Sequence, residues 1–253
     1  MLRSRIIPCL LLHNKGLTKT EKFNKGKYIG DPINAVRIFN EKEVDELMFL
    51  DIDKSVQSKE PDFELIQKIA DESRMPICYG GGIKNSKQAK EIIEMGIEKI
   101  ALSSIFFENP EVINETASII GAQSIIIVLD VKKKSFSTDY NVFTHNGTKK
   151  QGSLKSILKD LKNYRFGELV VNSIDLDGSQ KGYDMSLAEL CRESTDKPLT
   201  ILGGASSLDN IKLLIRKFKI IGAAAGSLFV FKGKYKAVLI NYPSFSERKN
   251  LYV

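Results

Sequence analysis

Eight short apolar runs alternate with longer amphipathic stretches along this chain, and few folds accept that order. The runs are residues 5–12, 46–52, 76–79, 99–103, 124–131, 168–173, 199–202 and 220–225. Most are rich in Ile, Val or Leu, as strands covered on both faces must be. Between them apolar residues recur at helical spacing, most clearly in 63–70 and 211–215. Asp31-Pro32 reads as an N-cap with proline at the first helical position, and Asn109-Pro110-Glu111 repeats the pattern. Strands alternating with helices make a parallel sheet. Eight such units in 253 residues predict an α/β chain folded as a single closed (β/α)8 TIM barrel. An open doubly wound sheet is the alternative.

Internal similarity favours closure. Phe49-Leu-Asp51-Ile-Asp53 resembles Ser173-Ile-Asp175-Leu-Asp177, Gly80-Gly81-Gly82-Ile83 resembles Gly203-Gly204-Ala205-Ser206, and Leu102-Ser103-Ser104-Ile105-Phe106 resembles Ala225-Gly226-Ser227-Leu228-Phe229. The last two pairs share one offset of 123 residues. No composition break divides the chain, so residues 1–253 read as one domain built from half-barrels of about 1–122 and 123–253. Residues 132–150, after the fifth run, carry Asn146-Gly147 and alternating Tyr140, Val142 and Thr144, the signs of a β-hairpin over the catalytic face.

Charge and cysteine usage narrow the partners. The formal net charge is +7, yet the basic residues are scattered, and the densest run, Lys132-Lys133-Lys134, has no aromatic residues interleaved. That favours a solvated surface over nucleic-acid binding. Cys9, Cys78 and Cys191 lie far apart with no CxxC pair, and only His13 and His145 add nitrogen ligands, so neither a metal site nor a disulfide framework is expected. The apolar run 6–12 is too short for a signal peptide, and no stretch approaches the roughly 20 apolar residues of a membrane helix. A cytoplasmic protein with reduced thiols is the expectation.

Barrel chemistry sits at the C-terminal ends of strands. There the sequence offers Gly81-Gly82 with Ser103-Ser104, and Gly203-Gly204 with Gly226-Ser227, beside Asp177-Gly178. Glycine admits close approach of an anion and serine adds donors, so two matched sets suggest two phosphate cradles for a bisphosphorylated ligand. Tight βα turns would use the same glycines. Asp51, Asp53, Asp130, Asp175 and Asp177 also fall at strand ends. Asp130, closing the apolar run 125–129, suits either a general acid or base or a structural carboxylate bonded to loop amides. Lys19 either contacts substrate or is solvated. At the opposite ends lie Arg5, Glu46, Lys99 and Glu168. They form either an ionic ring across the barrel floor or ordinary charges at the solvent boundary.

Taken together, these residues resemble a known family, the cyclase subunit (HisF) of imidazole glycerol phosphate synthase, over essentially the whole chain. The likeness is carried by Arg5-Ile-Ile-Pro-Cys-Leu10, Gly30-Asp31-Pro32, Asp45-Glu46-Leu47, Phe49-Leu50-Asp51-Ile52, Gly80-Gly81-Gly82-Ile83, Thr144-His145-Asn146-Gly147, Asp177-Gly178, Gly182-Tyr183-Asp184 and Gly203-Gly204-Ala205. The resemblance implies a glutaminase partner subunit whose ammonia crosses the barrel to a bisphosphorylated aminoimidazole precursor, a lyase-type cyclisation with no cofactor. It assigns Arg5, Glu46, Lys99 and Glu168 to a gate on the ammonia path. It assigns Gly82, Ser104, Asp177, Gly178, Gly204, Gly226 and Ser227 to phosphate binding. Lys19, Asp51 and Asp130 match as well.

The departures are Ser103, where the family has asparagine, and Leu11, where its first-strand motif has a catalytic aspartate. Losing such a group costs about 10²–10⁴-fold in rate. The start Cys9-Leu10-Leu11-Leu12 and the stretch Ala224-Ala225-Gly226-Ser227-Leu228-Phe229-Val230-Phe231 resemble more closely the glycosyl amidation-associated paralogues of surface-polysaccharide clusters. That likeness implies ammonia passed to a separate ATP-dependent enzyme amidating a nucleotide-linked sugar in lipopolysaccharide biosynthesis. An authentic histidine-pathway cyclase and a non-catalytic scaffold of an amidotransferase complex are the alternatives.

Overall fold

The structure, a computed structural model, describes residues 3–24, 26–135 and 137–252. Met1, Leu2 and Val253, at the ends of the expected half-barrels, and Phe136, in the expected insertion, lie outside the described residues. Eight strands carry the fold: β1 (Arg5–His13), β2 (Leu47–Asp51), β3 (Ile77–Gly80), β4 (Lys99–Leu102), β5 (Ile125–Lys133), β6 (Glu168–Ser173), β7 (Leu199–Leu202) and β8 (Gly222–Ala225). Each pairs in parallel with the next. β8 returns to pair with β1, Arg5 opposite Gly222 and Pro8 opposite Ala225. The sheet is therefore a closed parallel barrel, and the open doubly wound alternative is excluded.

Eight longer helices accompany the strands: α1 (Pro32–Glu41), α2 (Phe63–Glu72), α3 (Ser86–Glu94), α4 (Glu111–Ile120), α5 (Leu154–Asp160), α6 (Met185–Ser194), α7 (Leu208–Phe218) and α8 (Phe245–Leu251). Their starts follow capping chemistry. Asp31, Asp62, Asn85 and Asp184 each accept from a backbone N–H three residues on. Asn109 does not behave as expected: it ends the short helix Ser104–Glu108, so Pro110 occupies the N-cap of α4 without a side-chain bond. None of the described helices is long and apolar enough to cross a membrane.

Side chains alternate across each strand, and this parity organises the interior. One buried cluster fills the space between sheet and helices, with Ile6, Leu10, Phe49 and Leu129 among its members. A second, smaller cluster fills the lumen: Ile7, Cys9, Met48, Cys78, Ala101, Ile126, Val128, Val170, Leu202 and Ala224. Odd residues of β1 thus face inward, which puts Arg5 at one end of the lumen and Leu11 at the other. The same parity carries Glu168 through Val170 to Asn172 on β6.

Two hairpins overhang the mouth. Tyr140–Thr144 runs antiparallel to β5 and to Lys149–Ser153. Its turn has positive φ at His145, Asn146 and Gly147 (52°, 53° and 77°), the left-handed backbone that Asn-Gly tolerates. Gly16–Lys19 and Lys27–Gly30 form another hairpin directly after β1. The sequence reading did not anticipate it.

Candidate functional site

At the floor, Arg5, Glu46, Lys99 and Glu168 meet in one closed ring of alternating charge. Arg5 donates to Glu46 and, over 2.7 Å, to Glu168. Lys99 Nζ lies 2.9 Å from Glu46 and 3.3 Å from Glu168. Thr200 Oγ1 adds a hydrogen bond to Glu168 Oε1 at 2.5 Å. These four charges are therefore not solvent-boundary groups. Both carboxylates are buried behind the sheet ends. Above the ring the lumen is apolar, through Ile7, Met48, Cys78, Ile126, Val170 and Ala224.

At the mouth a cavity of about 180 Å³ opens, far more than the roughly 10–15 Å³ that one water needs. Lys19, Asp51, Gly82, Ser103, Ser104, Asp130 and Asp177 all line it, and Leu11 lies in the same wall. Gly178, Gly204, Gly226 and Ser227 are not part of the lining and are buried. The two glycine–serine sets, alike in sequence, thus differ in access. Lys19 is not solvated: it is 8% exposed and pairs with Asp177 at 2.8 Å. Asp53 and Asp175 serve the loops, Asp53 accepting from His13 and Asn14 and Asp175 from the Lys133 amide.

Comparison with known proteins now decides the family. The family described as "Histidine biosynthesis protein" matches residues 5–236. A Vibrio vulnificus protein, provisionally named imidazole glycerol phosphate synthase subunit hisF3, is 56% identical over 98% of this chain and 96% of its own length. A Pseudomonas aeruginosa protein, provisionally named subunit hisF2 of the same synthase, is 45% identical over 98% of each chain. The imidazole glycerol phosphate synthase subunit HisF of Natranaerobius thermophilus is 33% identical over 96% of this chain and 97% of its own. The chain belongs to the HisF family.

Within this HisF-family barrel Glu168 at the floor and Asp130 at the mouth shift in opposite directions. Burial opposes charge on Glu168, but Arg5 and Lys99 outweigh it and hold the carboxyl below its ordinary range. Burial likewise opposes charge on Lys99, and Glu46 with Glu168 reverses it. Asp130 has no such cation. Burial pushes it up to about 7, against the opposing hydrogen bond from Asn172 Nδ2 at 2.9 Å. Asp51 is also raised by burial, with the Asp53 and Lys54 amides bonding its Oδ1 and opposing the shift. The Cys9 thiol is pushed up to about 12 by burial, which makes it a poor nucleophile. Among the described residues no group of three His, Cys, Asp or Glu side chains is placed to hold a metal ion.

Three further residues belong to these ends and were not singled out from the sequence. Thr200 braces the floor ring, and Thr20 donates to Asp177 Oδ2 at 3.0 Å. Asn172, 5% exposed, lines the mouth cavity, and its Oδ1 has no hydrogen-bond partner. Strand parity was the available signal, since Asn172 is four residues beyond Glu168 on one strand.

Proposed function

We propose that this HisF-family barrel receives ammonia at its floor from a glutaminase partner and releases it at its mouth. The ammonia would serve a separate ATP-dependent enzyme that amidates a nucleotide-linked sugar in surface-polysaccharide biosynthesis. One observation carries the reading: the floor ring is complete, while at the mouth Leu11 occupies the wall where a second acid would stand beside Asp130. A conduit needs the floor and an apolar lumen. Ammonia crosses such a lumen uncharged, because taking an unpaired ion out of water costs several kcal/mol. An acid–base cyclisation needs two proton-transfer groups, and an aliphatic side chain at position 11 is not one.

A specific feature supports a second reading, the histidine-pathway cyclase. Asp51 lines the same cavity, and burial raises its carboxyl, so it is the available substitute for the missing acid.

Steady-state turnover of the bisphosphorylated aminoimidazole precursor with ammonium chloride separates the two. The conduit reading expects turnover lower by about 10²–10⁴-fold than in a HisF that keeps both acids. Robust turnover, lost on Asp51→Asn, would establish the cyclase instead. A glutaminase co-purified with the barrel should be stimulated by it, and Lys99→Met or Glu168→Gln should abolish the stimulation. Stimulation unchanged in both variants would leave only a scaffold.

A further inference from the structure

Much of the positive charge that looks scattered in the sequence is gathered by the fold beside the mouth. Segments 21–30 and 231–240, near opposite ends of the chain, hold six lysines against one glutamate, +5 of the formal net charge of +7. Lys25 among them lies outside the described residues. The segments meet at Lys236, whose Nζ lies 3.3 Å from Glu21 Oε2 and whose carbonyl accepts from Lys27 Nζ at 3.1 Å. Lys27 Nζ also sits 5.4 Å from the centre of the Phe231 ring. Thr20 and Phe23, on either side of Glu21, line the mouth cavity, so this junction borders the opening.

The second segment is a hairpin that adds no strand to the barrel. Phe231–Lys232 runs antiparallel to Ala237–Val238 as a separate two-stranded sheet, with positive φ at Gly233 and Lys236 (72° and 49°) in its turn. A lone strand pair has little stability in water. Phe231 and Ile240 anchor this one by packing on the main core, and the Leu239 amide bonds the Val230 carbonyl at 3.0 Å. The rest is open. Tyr235 is 89% exposed, and Val238 and Leu239 are exposed as well. The side chains of Lys232 and Lys234 have no ion-pair or hydrogen-bond partner among the described residues. An exposed aromatic and two aliphatic side chains among unpaired lysines suit a protein interface whose other half is acidic. Single-stranded nucleic acid would be met by rings for its bases to stack on, and Val238 and Leu239 offer none. A lipid surface would consume nothing that leaves the mouth.

We propose that hairpin 231–238 and turn 22–28 form the docking surface for a second protein, which presents an acidic face and consumes the ammonia at the mouth. That partner is the amidating enzyme of the function proposed above, and its identity rests on that reading. The lysines steer its approach, and Tyr235 supplies the side chain buried on contact. The glutaminase keeps the opposite end, at the floor.

Surface plasmon resonance of the purified amidating enzyme over the immobilised full chain tests this, with phosphatidylglycerol vesicles and single-stranded RNA as further probes. The enzyme should bind, and should weaken about tenfold or more between about 0.05 and 0.5 M salt as the lysines are screened. Lys232→Glu with Lys234→Glu should weaken it about tenfold or more, and Tyr235→Ala about thirtyfold. Both variants should stimulate the glutaminase as the unaltered chain does, because floor and fold are untouched. They should slow amidation supported by glutamine and leave amidation supported by ammonium chloride unchanged. Enzyme binding that is equal in both variants, or tighter binding of vesicles or RNA than of the enzyme, overturns the proposal. Absence of enzyme binding overturns it too. Joined to robust turnover of the aminoimidazole precursor, that absence also sinks the conduit reading; joined to glutamine-supported amidation that still needs the barrel, it sinks the docking surface alone.

Discussion

Glu168 and Asp130 sit on neighbouring strands, each enclosed by the barrel, and burial acts on both in the same direction. Only at the floor is that action reversed. Glu168 has Arg5 at 2.7 Å and Lys99 at 3.3 Å, and its carboxyl is held low. Asp130 has one amide donor and no cation, and rises to about 7. What separates a structural carboxylate from a reactive one here is therefore not depth but the presence of a counter-charge. The floor is built to stay ionised and closed. The mouth keeps one group poised to exchange a proton near neutral pH.

The sharpest way to break that contrast is to remove the floor's central acid. Glu168→Ala would leave Arg5 with only Glu46, leave Lys99 likewise, and orphan the Thr200 hydroxyl. Breaking a buried pair in this manner costs about 3–5 kcal/mol. Urea unfolding followed by circular dichroism should show a loss of that size at pH 7. A loss below about 1 kcal/mol, the range of exposed pairs, would mean that water already reaches the ring and that floor and mouth are not different in kind.

Asp130→Asn should act in the opposite direction, and only above a certain pH. The native carboxyl holds its proton up to about 7, whereas its ordinary value is 3.8. Below 3.8 both states are protonated, and the group has no effect on stability. As pH rises from 3.8 to about 7, the unfolded chain ionises while the native one resists, so the unaltered protein progressively loses stability. The asparagine variant escapes this loss. Because the group lines the open mouth cavity, the gain at pH 8 should be about 2–4 kcal/mol, falling toward zero near pH 4. Melting curves across that range measure it, and a gain independent of pH would show that Asp130 is ionised throughout.

The barrel itself was open to reading from the sequence, because its strands are local apolar runs. Residues 168–173 and 199–202 coincide with β6 and β7, and the others differ by only one or two residues at their ends. The last run begins at Gly222 rather than Ile220, since Lys219 adopts a positive φ of 62° and Ile220 is exposed. The floor was legible for the same reason: its charges stand at the entry of predictable strands. The mouth was less so. Lys19 is buried by a carboxylate 158 residues further along the chain, and no local pattern around a loop lysine announces that pairing. Symmetry in the sequence pairs two glycine–serine sets, yet only Gly82, Ser103 and Ser104 line the mouth cavity, because the segment carrying Lys19 and Thr20 packs on Gly226 and Gly178.

The hairpin over the mouth offers the mildest test of the contrast. Tyr140 donates its hydroxyl to Asp184 Oδ2 at 2.9 Å, while Asp184 Oδ1 caps α6 by accepting from the Leu187 amide at 3.0 Å. This is one bond between an otherwise apolar hairpin residue and a helix cap, not a network. Tyr140→Phe removes the donor and keeps the ring, and Asp184 is only half-buried, so water can replace the lost bond to its freed oxygen. The expected cost is about 1 kcal/mol, the net worth of a typical hydrogen bond. If thermal unfolding instead shows a loss equal to that of Glu168→Ala, the hairpin and α6 form a second cooperative ring, and the mouth is as firmly closed as the floor.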